Sequence, residues 1–311
     1  RKPNNNTNTK IKTRSLSYTI EITRNQFEDL SVTPIELTSD ISSAGDEFAH
    51  AISLGNILET STVGLAVGVH HDDTNIDDSG SVYLYEKSAN NEWSFTDLIK
   101  AAKPDSGDNF GYSISLSDGF LAVSAVGEDS SYLGIYPWKD EAGDGVNENS
   151  FAEINNTSES SGAVYLFKKA EGEPNEWKQI AYIKQPEDTE HTGFGQKVLL
   201  KGNILLVAAT QQNSTIINEI TTIISSGVVY VYRYDSEIDT WSYVSPPLKS
   251  NALNESDKFG SALSMYNDSI LIGAPGENNG KGAAYLFSPT SSSSWVLSSS
   301  LTATNSDEGD A

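Results

Sequence analysis

The 311-residue chain sets 20 basic against 43 acidic side chains, a formal charge of −23, and contains no cysteine. This balance argues against nucleic acid or an anionic membrane surface as partner, and the lack of thiols removes disulfide staples and thiolate chemistry. No apolar run approaches the roughly 20 residues needed to span a bilayer, so direct membrane insertion is not expected.

Residues 1–26 differ in kind from the rest of the chain. Arg1, Lys2, Lys10, Lys12, Arg14 and Arg24 are opposed only by Glu21, and residues 3–13, rich in Asn, Thr and Lys, read as linker or loop. Leu16, Tyr18, Ile20 and Ile22 then alternate with polar residues at the period of a half-buried strand, expected to close a preceding β unit. Phe27 to Ile35 reads as the outer strand of an earlier copy of a repeated unit.

That repeat occupies residues 27–311. Trp93, Trp177 and Trp241 are followed by Phe110, Phe194 and Phe259 at intervals of 17, 17 and 18 residues. Between each Phe and the next Trp, three short apolar runs recur between turn residues. The last unit shows them most clearly: Phe259 to Ser264, Ile270 to Pro275, Gly282 to Phe287, then Trp295 to Leu301. Four such units start near Phe48, Phe110, Phe194 and Phe259. The expected fold is all-β, a β-propeller built from four-stranded antiparallel blades, each needing neighbours to cover both faces. Four units and one surplus strand do not close a ring neatly, so a larger propeller is expected. Small residues end the second strand of each unit (Gly68, Ser124, Ala208, Gly273), as suits a place where backbones converge. The recurrent Phe, Tyr and Trp are expected to pack between blades rather than meet ligand.

Phe110-Gly111, Phe194-Gly195 and Phe259-Gly260, with Gly273-Ala274-Pro275, resemble the FG-GAP repeats of integrin-α-type propellers, and most closely the bacterial surface or secreted branch. The resemblance implies an extracellular location and a role in adhesion. Departures are Phe48-Ala49 in the first unit and the loss of Gly-Ala-Pro in the first three. Family members also carry an Asp-rich calcium loop between the first two strands. Here those connections are short (Ser117-Asp118-Gly119, Lys201-Gly202-Asn203, Tyr266-Asn267-Asp268-Ser269) and read as hairpin turns, so calcium is not carried over to that place. Residues 14–24, with Tyr18-Thr19-Ile20-Glu21-Ile22-Thr23-Arg24, are similar to the last strand of cadherin-like β-sandwich modules.

The longest departure from the repeat is the insertion from about Gly127 to Ser161. Tyr132, Tyr136 and Trp138 within it offer either a stacking surface for a protein or glycan ligand or the loop's own small core. Asp140, Asp144, Asn147 and Asn149, flanked by Gly143 and Gly145, are candidate oxygen ligands for Ca2+, with a solvated acidic loop as the alternative. His70-His71-Asp72-Asp73 occupies the equivalent connection of the first unit. Adjacent histidines on an extended backbone point to opposite sides, so this segment is expected to be a solvated turn rather than a zinc site. No catalytic constellation is apparent around His50, His70, His71 or His191. The expected function is a non-catalytic binding or adhesion module acting through loops on one propeller face. Its partners would be a protein or glycan, with neighbouring domains or copies of itself. A structural subunit of a surface filament or stalk, and a propeller enzyme acting on polysaccharide through paired carboxylates, are the alternatives.

Overall fold

A computed structural model describes residues 43–57, 62–74, 76–137, 156–170, 176–186, 192–211, 215–216, 222–223, 226–251, 256–290 and 294–303. The chain divides into two compact units, Arg1–Thr38 and Ser39–Ala311. The first unit, with the cadherin-like strand and Phe27 to Ile35, lies outside the described residues.

The described residues of the second unit form a succession of four antiparallel sheets and one two-stranded ribbon. The first comprises β1 (Ala51–Asn56), β2 (Val63–Val69), β3 (Ser81–Lys87) and β4 (Trp93–Ile99), paired in chain order. The second contains β5 (Phe110–Ser117), β6 (Phe120–Ala125), β7 (Ile135–Pro137), β8 (Ala163–Lys169) and β9 (Trp177–Ile183), in the order β5-β6-β8-β9-β7. In the third, β10 (Phe194–Lys201) and β11 (Ile204–Ala209) continue, after a small ribbon of β12 (Thr215–Ile216) and β13 (Thr222–Ile223), into β14 (Val228–Asp235) and β15 (Thr240–Leu248). The fourth pairs β16 (Ala262–Tyr266), β17 (Ser269–Ala274), β18 (Ala283–Pro289) and β19 (Trp295–Leu301). These are propeller blades, and their strands follow the repeat read from the sequence. The exceptions are the β12–β13 ribbon and β7, which the insertion adds to the outer edge of the second blade by pairing Ile135 with Ile183 and Tyr136 with Tyr182.

Three apolar cores lie between successive blades. Phe110, Tyr165 and Trp177 of the second blade pack with Val82, Leu84 and Ile99 of the first; Phe194, Tyr230 and Trp241 with Val164 and Leu166; Phe259, Tyr285 and Trp295 with Leu206, Val229 and Val231. Among the described residues no such core joins the fourth blade to the first. The expectation of aromatic packing between blades is met: Phe120 of the second blade meets Tyr234 and Trp241 of the third edge-on at 4.9 and 5.7 Å. Burial explains the strand compositions. β6 and β11 are buried at every residue because both faces of their blades are covered, whereas β17 alternates and leaves Leu271 exposed.

The Phe-Gly motif works at these seams. Gly111, Gly195 and Gly260 take φ of +96°, +88° and +100°, open to glycine alone without strain. Each lies against the small residue ending the second strand of the preceding blade: a Cβ on Gly195 would stand 2.9 Å from Ser124 Cβ, and one on Gly260 2.8 Å from Ala208 Cβ. In the first unit Ala49 takes the motif position at φ +69°, a conformation costing a residue with a Cβ roughly 1–2 kcal/mol.

The first strand of each blade is a sheet edge, whose free N–H groups need partners. Serines on the preceding blade supply them: Ser53 Oγ accepts from Leu116 N (2.9 Å), Ser113 Oγ from Val198 N (3.1 Å) and Ser115 Oγ from Leu200 N (2.8 Å).

Candidate functional site

In an antiparallel meander, the connections between first and second strands lie at one end of the blade, and those between second and third strands lie at the other with the links to the next blade. At the first end the β5–β6, β10–β11 and β16–β17 connections are two-residue turns. Asp118 and Gly119 take φ of +50° and +80°, and Asn267 and Asp268 +45° and +61°, the backbone of two-residue hairpin turns. The opposite end carries long connections, from Val69 to Ser81, Ala125 to Ala163 and Ala209 to Val228, and charged side chains at their bases are held by buried contacts.

One of these contacts, a buried carboxylate just beyond the second strand, recurs in three blades. Just beyond β2, Asp72 accepts hydrogen bonds from Thr74 N (2.8 Å) and from the Thr74 and Ser81 hydroxyls, with Lys100 Nζ at 3.3 Å. Burial opposes its charge, but these donors and the ammonium outweigh it and hold the carboxyl below its usual range. At the same place beyond β6, Glu128 pairs with Lys184 at 2.5 Å, and Lys184 also donates to Ser161 Oγ at 2.7 Å. Their side chains are only 3% and 1% exposed. In the fourth blade the equivalent Glu277 accepts from the Tyr285 hydroxyl, which also receives the Ser250 hydroxyl at 2.8 Å.

Asp108, in the link before β5, lies beside the second pair. Burial pushes its carboxyl up to about 7; the Asp105 N–H (2.8 Å) favours the charged form, while Glu128, Asp105 and Asp129 disfavour it. Lys184 faces the same group. The folded chain therefore holds a proton on Asp108 at pH values where the unfolded chain, near 3.8, has released it. The resulting stabilisation is complete below pH 4 and is lost as pH rises through 7, with a ceiling on the order of 4 kcal/mol. In urea titrations at pH 5.5 and pH 8, Asp108→Asn is expected to be the more stable chain at pH 8 and to keep only about half of that advantage at pH 5.5, midway between the unfolded and folded carboxyl values. A constant difference between the two chains at both pH values would refute this assignment.

The first blade departs from its expected form. The turn is not solvated: His70 is 4% exposed and Asp72 1%. The rings of His70 and His71 do not diverge but lie 3.9 Å apart, because the chain has left the strand at Val69 and turns through Asp72 N to Val69 O (3.2 Å). The His50 ring also lies 3.9 Å from that of His70. Burial, then His50 and His71, lower the His70 pKa to about 4 against the opposing pull of Glu47 and Asp78, so its ring is neutral at physiological pH. Glu47 Oε2 lies 3.2 Å from His50 Nδ1 and 3.8 Å from His70 Nε2. Sequence spacing alone missed this group, since Glu47 and His50 lie about twenty residues from His70 and meet it only once β1 pairs with β2.

At the seam of the third and fourth blades, positions equivalent in the repeat line a polar groove of about 290 Å3, formed by Gln196, Lys197, Thr210, Gln211, Lys258 and Ser261. Two ammonium groups there stand out on a chain of charge −23.

Of the residues expected to bind ligand, Tyr132 and Tyr136 are brought together edge-on at 5.8 Å. Tyr132 is 37% exposed, whereas Tyr136 packs against the core between the first two blades and donates its hydroxyl to Leu133 O at 2.9 Å. Trp138 and the candidate calcium ligands Asp140, Asp144, Asn147 and Asn149 lie outside the described residues.

Residues 250–287 match the family model of the FG-GAP repeat. The chain carries an FG-GAP repeat. The matched stretch contains β16, β17 and most of β18, with Phe259-Gly260 at the seam and the intact Gly273-Ala274-Pro275. The three preceding blades repeat the topology of this FG-GAP unit. No curated protein matches the chain. Among the described residues no helix is long and apolar enough to cross a membrane.

Proposed function

We propose that the chain is a non-catalytic extracellular binding or adhesion module that recognises a protein or glycan through the loops at one end of its blades. FG-GAP repeats are typically extracellular and often serve adhesion, which supports both the location and the class. The observation carrying the reading is the asymmetry of the two ends, one closed by short hairpins and the other bearing long loops, a polar groove and buried contacts that anchor the loop bases. A rigid base under variable loops is the usual construction of a recognition surface. The groove between Lys197 and Lys258 suits a carboxylate-bearing group, with amide and hydroxyl donors beside it.

The test is an array of neutral and uronic- or sialic-acid-bearing glycans together with immobilised surface proteins, probed with the wild-type chain and with K197E/K258E. Selective binding by the wild type, weakened at least tenfold in the variant while both melt alike, is the expected result. Blank arrays, or binding indifferent to the two lysines, would overturn it. Reducing-sugar release from polysaccharide that disappears in Asp108→Asn would replace it with the enzyme reading.

A further inference from the structure

We propose that Glu47, His70 and His71 bind one divalent transition-metal ion of the zinc class, with His50 positioning the Glu47 carboxylate. One ligand atom from each of the three residues lies within 4.8 Å of the other two. In a tetrahedral zinc site with nitrogen and oxygen ligands near 2.0–2.1 Å, ligand atoms sit roughly 3.3 Å apart. Side-chain rotation of the exposed Glu47 and half-buried His71 about a fixed His70 spans the difference. Three protein ligands leave the fourth position to water.

Two independent features point to a ligand. His70 is 4% exposed, its Nε2 faces Glu47 Oε2 at 3.8 Å, beyond hydrogen-bond reach, and its Nδ1 is buried without a hydrogen-bond partner, so the ring keeps a nitrogen free for a ligand. The backbone carrying the two histidines is also fixed in advance by Asp72, whose carboxylate is fully committed to Thr74, Ser81 and Lys100. Such support behind the ligands is what a metal site requires. Composition adds weight, since three of the four histidines in the chain gather here. At the equivalent positions the other blades carry Val126 and Gly127, Thr210 and Gln211, and Pro275 and Gly276. The arrangement is therefore specific to the first blade and is not a consequence of the repeat. Imidazole with one carboxylate selects zinc, copper or nickel over calcium or magnesium.

The full chain, stripped with chelator, is titrated with ZnCl2 in calorimetry and with CoCl2 in visible absorption, each in the presence of millimolar CaCl2. One saturable equivalent is expected, with cobalt d–d bands typical of four- or five-coordination and displaced by zinc. E47Q/H71Q alters two side chains with solvent access and should fold as the wild type by circular dichroism while binding at least tenfold more weakly. Many weak equivalents suppressed by calcium would mean general binding to the acidic surface and would overturn the proposal. So would wild-type affinity retained in E47Q/H71Q.

Discussion

Lys184→Met is expected to lower the free energy of unfolding by about 3–5 kcal/mol, the range for removing one partner of a buried ion pair. The ammonium is enclosed, and Glu128, equally buried, would keep the Ser130 N–H (3.1 Å) as donor but lose the cation that balances its charge. Burial itself lowers the Lys184 pKa, and the Glu128 carboxylate opposes that effect. Denaturant melts of Lys184→Met, Glu128→Gln and the double variant measure this directly. The double variant is expected to recover much of the loss, because the stranded charge is then gone. Additive losses would show that the two groups act independently, contrary to the geometry.

Gly227→Ala is the second large effect, expected to cost at least about 3 kcal/mol. Gly227 opens the third-strand segment of its blade at φ +84°, and a Cβ there would lie 2.8 Å from Phe259 N and 3.0 Å from Phe259 C, with the carbonyl oxygen closer still. At this point Phe259 N donates to Ser226 O at 2.9 Å, tying the fourth blade to the third. Gly107→Ala separates the causes: Gly107 has nearly the same φ, +85°, but a Cβ would meet nothing within 4 Å. It should cost only the roughly 1–2 kcal/mol of a left-handed backbone. Equal losses at the two positions would show that the seam yields and that backbone strain alone is responsible.

The legible part of this protein was its repeat. A blade is built from local pairings of short strands, and each strand announces itself through β-branched and aromatic residues between turn residues. Hence Phe110, Phe194 and Phe259, the small residues Ser124 and Ala208, and the hairpin at Asp118-Gly119 were readable in order along the chain. The serines that cap the next blade's edge were not, because Ser113 and Ser115 look like ordinary polar positions until Val198 and Leu200 stand opposite them.

The candidate sites divide in the same way. Runs such as Tyr132 to Asn149 draw attention because their residues are neighbours in sequence, whereas Lys184 reaches Glu128 across 56 residues and Glu47 reaches His70 across the first hairpin. Local composition and spacing determined that this chain makes antiparallel blades and where each begins, since strand and turn preferences act over a few residues. The tertiary structure alone decided which charges are buried together and which histidines meet, because burial and Coulomb interaction depend on distance in space, and only the packing of strand on strand and blade on blade sets that distance.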